Sequence, residues 1–521
     1  MAEPTQVQRL AAFAAACRDE GLPEAVSADV GGRILDVLGN CLAGRAESQG
    51  AAGLAEPDRA VLRAVAAWGG TSEAGVIGSH ERLPAPSAAL VNGTLAHALD
   101  FDDTHLPSVL HPSASIVPAA LAAAEAVDAT ATELIAAVAA GVEVCNRIGM
   151  ASYVPEVRNS VFFEKGFHAT SICGALGASV AAGLLYGLEA DQIASAMGIA
   201  ASMGSGVIEA NRTGGTVKRV HCGWAAHGGI TAAALAREGV TGPPTVLEGR
   251  FGFFNAYLDG RYDKAALLDG LGERWELIRT VYKPYPSNHF THPAIDCALA
   301  LRAAGLDPAD IESVELGVAA PVLRTIAEPR EDKIRPRTPY HAKFSGPFTV
   351  ATALLGGGGL GVYLDDFTDE TFTDPVRLAL AAKVELVADE RATEIFPNGF
   401  AAVLRVRTLG GALLEHRVDS SRGGPEHPLS RDELLTKFQL NAARALPADR
   451  VGDLVAAVER LADGVGGAAS VLSLTRVRAE GVRGAGPALP GPRNGDEPGH
   501  GTSGGIGELT RTSRASEPHQ G

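Results

Sequence analysis

Over the first half of the chain apolar residues recur at spacings of three and four, as in Ile34, Leu35, Val37, Leu38, Cys41 and Leu42, or Leu134, Ile135, Val138 and Val142. That is the period of an α-helix with one buried face. Segments 113–127, 169–188 and 193–207 are apolar nearly all round. A helix without a polar face has to be surrounded by other helices, so the pattern predicts a large helical domain over residues 1–272 with a central helix layer. Segment 169–188 is uncharged and long enough to span a bilayer. Its small residues Gly174, Gly177, Ala181 and Gly183, and the acidic Glu189 and Asp191 where a basic anchor would stand, predict a core helix instead. The run Leu10–Cys17 is short for a signal-peptide core and reads as the first amphipathic helix.

After about residue 273 the period shifts towards two. Segments 313–318, 383–388, 402–408 and 413–418 alternate or carry β-branched residues, and Leu409, Gly410, Gly411 and Ala412 join the last two as a hairpin. With helices at 292–304 and 346–355, this predicts a smaller α+β lid domain over residues 273–420. Ser430 followed by Glu433 is a capping-box start for helices that return to the first domain over residues 421–475. The fold class is therefore mainly α: a large all-helical domain plus a smaller α+β lid domain. Residues 476–521 are expected to be a disordered tail without a catalytic role, because 481–521 hold 11 Gly and 5 Pro and no aromatic residue.

Composition narrows the function. A net charge of −16, from 61 acidic and 45 basic residues, excludes a basic nucleic-acid binder, and 46% hydrophobic residues exclude a disordered chain. Six scattered cysteines without a CxxC pair suggest neither a zinc site nor a disulfide framework; a reduced cytoplasmic protein is expected. No GxxxxGK[ST] loop occurs. The GxGxxG match at Gly356–Gly361 follows a predicted helix and reads as its stop, and the GxSxG match at Gly501–Gly505 falls in the tail.

The densest polar cluster is His97, Asp100, Asp102, Asp103, Thr104 and His105, followed by His111. Buried carboxylates and imidazoles are costly unless paired or used, so this is an acid–base candidate. The plainer alternative makes Asp102 or Asp103 a helix cap, and a metal site is a third reading. Three more patches are His168 at the start of an apolar helix, Lys218 with His221 three residues on, and Lys283 with Asn288 in a Tyr-Lys-Pro-Tyr-Pro turn at the domain junction. A capping histidine, a solvated basic turn and a simple hinge are their plain readings. Together they suit cofactor-free proton chemistry on a small anionic substrate, with Lys fixing carboxylates and Asp or His moving a proton.

Seven stretches resemble the MmgE/PrpD family of 2-methylcitrate dehydratase, cis-aconitate decarboxylase and iminodisuccinate epimerase: Leu35–Ala43, Val91–Thr104, His111–Ser113, Gly166–Gly177, Lys218–His227, Lys283–Cys297 and Lys343–Leu354. They run in family order over residues 6–474. The resemblance implies a homodimer with no metal or nucleotide and an active site between the two domains. It places Asp100, Thr104, His111, His168, Lys218 and Lys283 on the family's active-site positions. The expected roles are His111 and Asp100 as the proton-transfer pair and His168 and Thr104 as orienting groups. Lys218, Lys283, His221 and Asn288 are expected to bind substrate. The decarboxylase branch has histidine at Asn288 and tyrosine at Phe348, and a loop one residue shorter between Thr104 and His111. These departures favour a hydro-lyase acting on a 2-methylcitrate-like acid, with an isomerase of a dicarboxylate and a decarboxylase as alternatives and a non-catalytic carboxylate binder as the remaining one. The expected partner is a small carboxylic acid, not a nucleic acid or a membrane.

Overall fold

The computed structural model describes residues 3–50, 57–155, 159–210 and 215–477, so the predicted tail lies almost wholly outside the described residues. At its centre is the helix Ala169–Leu185, with every residue buried. The helices Ser113–Val127, Ala131–Ala151, Ala190–Met203 and His221–Arg237 surround it. Small residues make this layer possible. A Cβ on Gly177 would stand 2.6 Å from the carbonyl oxygen of Gly141, and one on Gly93 would stand 2.7 Å from the Cα of Gly223. The second contact draws Ala85–His97 onto His221–Arg237, which brings His97 close to Cys222. Leu176 is fully buried in this layer; trimming it to Ala is expected to cost about 2–5 kcal/mol.

Two helix ends differ from the sequence pattern, both at glycines. The helix predicted over 193–207 is Ala190–Met203: Gly204 is extended and Gly206 has φ +154°, which turns Val207 into a bridge with Phe167. The helix predicted to Leu188 stops at Leu185, ahead of Gly187 at φ +71°. Among the described residues the helix long and apolar enough to cross a membrane is Ala131–Ala151, not the segment singled out by pattern. It is a core helix: 94% of its most apolar window is buried, and it encloses the Glu143–Arg147 ion pair at 2.6 Å.

The smaller part is a four-stranded sheet in the order Leu413–Val418, Ala402–Thr408, Ile311–Val318, Val384–Ala388, with the last pair parallel and the others antiparallel. The predicted hairpin forms with Leu413 opposite Arg407. The helices His292–Ala303 and Gly346–Leu355 pack on this sheet, and Gly356, at φ +103°, ends the second. Leu316, Leu404, Val406, Ile295, Val350 and Phe348 form its core, separate from that of the helical layer. The helices Arg431–Ala442 and Ala448–Ala462 pack on Glu24–Gly50, and Phe438, Leu454 and Leu461 join the first core. Ser430 caps the first of them through the reciprocal box with Glu433. A two-residue ladder, Thr104–His105 against Thr280–Val281, fastens the loop after Ala85–His97 to the segment that carries Lys283.

Candidate active site

The three carboxylates of the loop after Ala85–His97 do three different jobs. Asp103 is structural: its carboxylate accepts from Arg33 Nη1 at 2.8 Å and from the backbone N–H and hydroxyl of Ser113, so it caps Ser113–Val127. Asp102 faces the His97 ring, Nδ1 to Oδ2 2.7 Å. Burial alone would lower His97, but the Asp102 carboxylate overrides it and holds the imidazole up at about 10, so His97 is an imidazolium at neutral pH. Asp100 sits at φ +56°, a backbone region that a residue other than glycine rarely occupies. Its Oδ1 lies 3.3 Å from Lys283 Nζ and 3.8 Å from Lys218 Nζ. Burial opposes ionisation there, yet Lys283 and Lys218 keep Asp100 well below the usual carboxylate range.

His111 follows on the same loop. Its Nδ1 lies 2.7 Å from the carbonyl oxygen of Asp103 and 3.3 Å from the Thr104 hydroxyl. A carbonyl only accepts, so Nδ1 carries the hydrogen and the neutral ring presents Nε2 as a lone pair. Burial is the largest cause lowering His111, to about 3; the nearby Asp102 works against it and the cations Lys283, His97 and Lys218 work with it. The ring centroids of His97 and His111 are 5.3 Å apart, and those of His97 and His168 5.8 Å. His168, the N-cap of Ala169–Leu185, meets His221 with Nδ1 to Nδ1 2.9 Å. Two rings this close share one hydrogen, and burial lowers both, His221 to about 4.

The structure thus gathers Asp100, Thr104, His111, His168, Lys218, His221 and Lys283 into one cluster, buried except at His111, whose side chain is 15% exposed. The Asn288 side-chain oxygen accepts from the N–H of Phe290 and caps the turn His289–Thr291. Phe348, the other departure, packs against Phe367 in the core of the smaller part. His97 completes the cluster. Its signal in the sequence is a histidine at the last position of a helix, five residues before an aspartate. Two cavities, about 500 Å³ beside Phe13 and Leu271 and about 230 Å³ beside Tyr282 and Leu434, are lined by other residues.

Charge pairing sets what the cluster can hold. Asp102 is matched by His97, Asp103 by Arg33, and Asp36 by Lys437 at 2.6 Å. Arg33 also pairs Asp29 at 2.7 Å, so the imbalance is local: Lys218 and Lys283 face a single carboxylate, Asp100. Such a site suits a small molecule with more than one carboxylate. A metal reading has one cluster to rest on: donor atoms of His97, Asp102 and Cys222 lie within 4.8 Å of one another. His97 Nδ1 and Asp102 already engage each other at 2.7 Å, so an ion held between them would have to break that contact.

Fold and cluster define a mainly α-helical protein with a largely buried cluster of histidine, aspartate and lysine side chains. The chain belongs to the MmgE/PrpD family. The MmgE/PrpD N-terminal domain matches residues 8–265 and the MmgE/PrpD C-terminal domain residues 285–463. Cis-aconitate decarboxylase of Homo sapiens is 31% identical over 394 residues, 73% of this chain and 78% of that protein. Cis-aconitate decarboxylase of Aspergillus terreus is 27% identical over 411 residues, covering 74% of this chain and 81% of that protein. Cis-aconitate decarboxylase-like protein oryM of Aspergillus oryzae is 26% identical over 397 residues, covering 72% and 79%.

Proposed function

We propose that the protein is a cofactor-independent lyase that acts on a small tricarboxylic acid by moving a proton at a carbon next to a carboxylate. The observation that carries this reading is His111: a neutral ring whose Nδ1–H is tied to the Asp103 carbonyl, its Nε2 without a hydrogen-bond partner among the described residues, beside the two lysines that outnumber Asp100. In this reading Lys218 and Lys283 take the substrate carboxylates and so stabilise the negative charge that develops when His111 Nε2 removes the proton. The electron pair left on carbon forms the double bond as the leaving group departs. The His97 ring, held up by Asp102, is the proton donor within the cluster, and the neutral His168–His221 pair is left to orient the substrate. Asp100 is pinned in its ionised form by two ammonium groups, which suits it to orienting the lysines rather than to carrying a proton.

Two reactions fit this machinery. Loss of water from a 2-methylcitrate-like acid is supported by Asn288 and Phe348, which replace the histidine and tyrosine of the decarboxylase branch. Loss of carbon dioxide from a cis-aconitate-like acid is supported by the names of the relatives and runs the proton the other way: as the C–C bond to the carboxylate breaks, its electron pair shifts the double bond, and the carbon takes up a proton from a donor in the cluster. Proton NMR of the purified protein with 2-methylcitrate, citrate and cis-aconitate tests the proposal. An unsaturated acid formed from 2-methylcitrate supports the first reaction, and decarboxylation of cis-aconitate the second. Exchange of one carbon-bound hydrogen without net product would point to an isomerase. No change in any acid would overturn the proposal.

A further inference from the structure

Three consecutive backbone carbonyls in the turn after Ala85–His97 each accept a hydrogen bond from a buried lysine. Lys343 Nζ donates to Leu99 O at 2.8 Å, Lys283 Nζ to Asp100 O at 3.0 Å, and Lys437 Nζ to Phe101 O at 2.9 Å. The donors come from three places: just before the helix Gly346–Leu355, the segment after Val281, and the helix Arg431–Ala442. At the middle of the turn Asp100 holds φ +56°. Lys437 has a carboxylate partner in Asp36, and Lys283 has one in Asp100. Lys343 has no ion pair among the described residues; its ammonium meets the Leu99 carbonyl and stands 5.6 Å from the centre of the Phe367 ring.

An ammonium buried without a paired carboxylate costs stability, because desolvation is not offset by an opposite charge. Burial accordingly pushes Lys343 down to about 7. A methionine or leucine in its place would fill the same space at lower cost. A group kept in a costly position is expected to serve the site it touches. The turn it holds carries Asp100 between Lys218 and Lys283, Asp102 against His97, and the Asp103 carbonyl that fixes the His111 ring.

We infer that Lys343, together with Lys437, is a positioning residue that locks the 99–101 turn in its left-handed form and so aligns the acid–base groups. For its kinetic consequence the inference rests on the proposed lyase reading; its structural consequence stands apart from it. The Asp103 carbonyl that fixes the His111 ring moves with the turn, whereas Lys283 keeps its own bond to it, so the loss should appear in kcat more than in KM.

The test compares the full chain with its Lys343→Met variant by thermal melting, by hydrogen exchange of the peptide over 98–105, and by turnover. The expected result is a melting temperature equal to or above the parent's. Exchange over 98–105 should be faster by about tenfold or more, and kcat lower by about tenfold or more with KM within about threefold. Exchange over 98–105 equal to the parent's would overturn the inference whatever the activity. If the parent turns over none of the acids, the lyase reading fails and the exchange result alone decides the clamp. The second variant, Asp36→Asn/Lys437→Met, removes the other clamp without stranding a buried carboxylate, and the same faster exchange is expected from it.

Discussion

Replacing His111 with Gln gives the sharpest kinetic expectation. In the free protein burial and the cations Lys283, His97 and Lys218 hold His111 at about 3. At pH 7 the neutral ring therefore outnumbers the protonated one by about 10⁴ to one. The profile of kcat/KM, which reports the free protein, should show no acid limb from His111 between about pH 5 and 8. A bound polycarboxylate offsets the cations that help depress the ring, though not the burial that is the largest cause. The profile of kcat, which reports the complex, should therefore show its acid limb at higher pH than that of kcat/KM. His111→Gln should lower kcat by about 10² to 10⁴ and abolish that limb. Steady-state rates at about ten pH values for parent and variant provide the measurement. A limb near 6.5 in kcat/KM that disappears in His111→Gln would refute the assignment of a neutral, depressed base.

Lys218→Met removes one of two cations facing the substrate, and KM should rise by about 10- to 150-fold for a charge-assisted bond of about 1.5–3 kcal/mol; an unchanged KM would remove Lys218 from binding. His111 and His292 are both held at about 3, below the ordinary 6.5, chiefly by burial. Their folded values lie below the unfolded ones, so their contribution is complete above about pH 6.5 and is lost as pH falls towards 3; at about pH 4.5 the pair has given up about 5 kcal/mol. Circular dichroism should accordingly show acid unfolding beginning below about pH 5, and an unchanged melting temperature at pH 4 would contradict it. Asp103→Ala removes one of the two carboxylates on the buried Arg33, leaving Asp29, and uncaps Ser113–Val127, with an expected loss of about 1–3 kcal/mol in denaturant unfolding. Exhaustive EDTA treatment should leave turnover unchanged; loss restored by a divalent ion would show that His97, Asp102 and Cys222 hold a metal after all.

How far the sequence could be read depended on whether a residue's partner was local. The strands Ala402–Thr408 and Leu413–Val418 were legible because alternation and a four-residue glycine-bearing loop lie within one stretch of chain. The helix Gly346–Leu355 was legible from its apolar run and the glycine that ends it, and Ser430 with Glu433 from a three-residue spacing. The end of Ala190–Met203 was missed because Val207 continues the apolar pattern while Gly204 and Gly206 break the backbone. Asp100, Thr104, His111, His168, Lys218, His221 and Lys283 come together, but the separate tasks of Asp100, Asp102 and Asp103 rest on Lys283, His97 and Arg33, two of which lie far away in the chain. Lys343 and Lys437 were out of reach for the same reason: their bonds run to backbone carbonyls 244 and 336 residues away, where side-chain identity leaves no pattern.

The central claim is that His111 moves a carbon-bound proton next to a substrate carboxylate, and deuterium reports it directly. Purified protein and its His111→Gln variant are incubated in D₂O with 2-methylcitrate and, separately, cis-aconitate, and the carbon-bound hydrogens are followed by proton NMR. The account predicts that the parent converts one of these acids, or exchanges its hydrogen next to the carboxylate, and that the variant is slower by about 10² or more. Equal rates in parent and variant, or no reaction and no exchange in either, would contradict it.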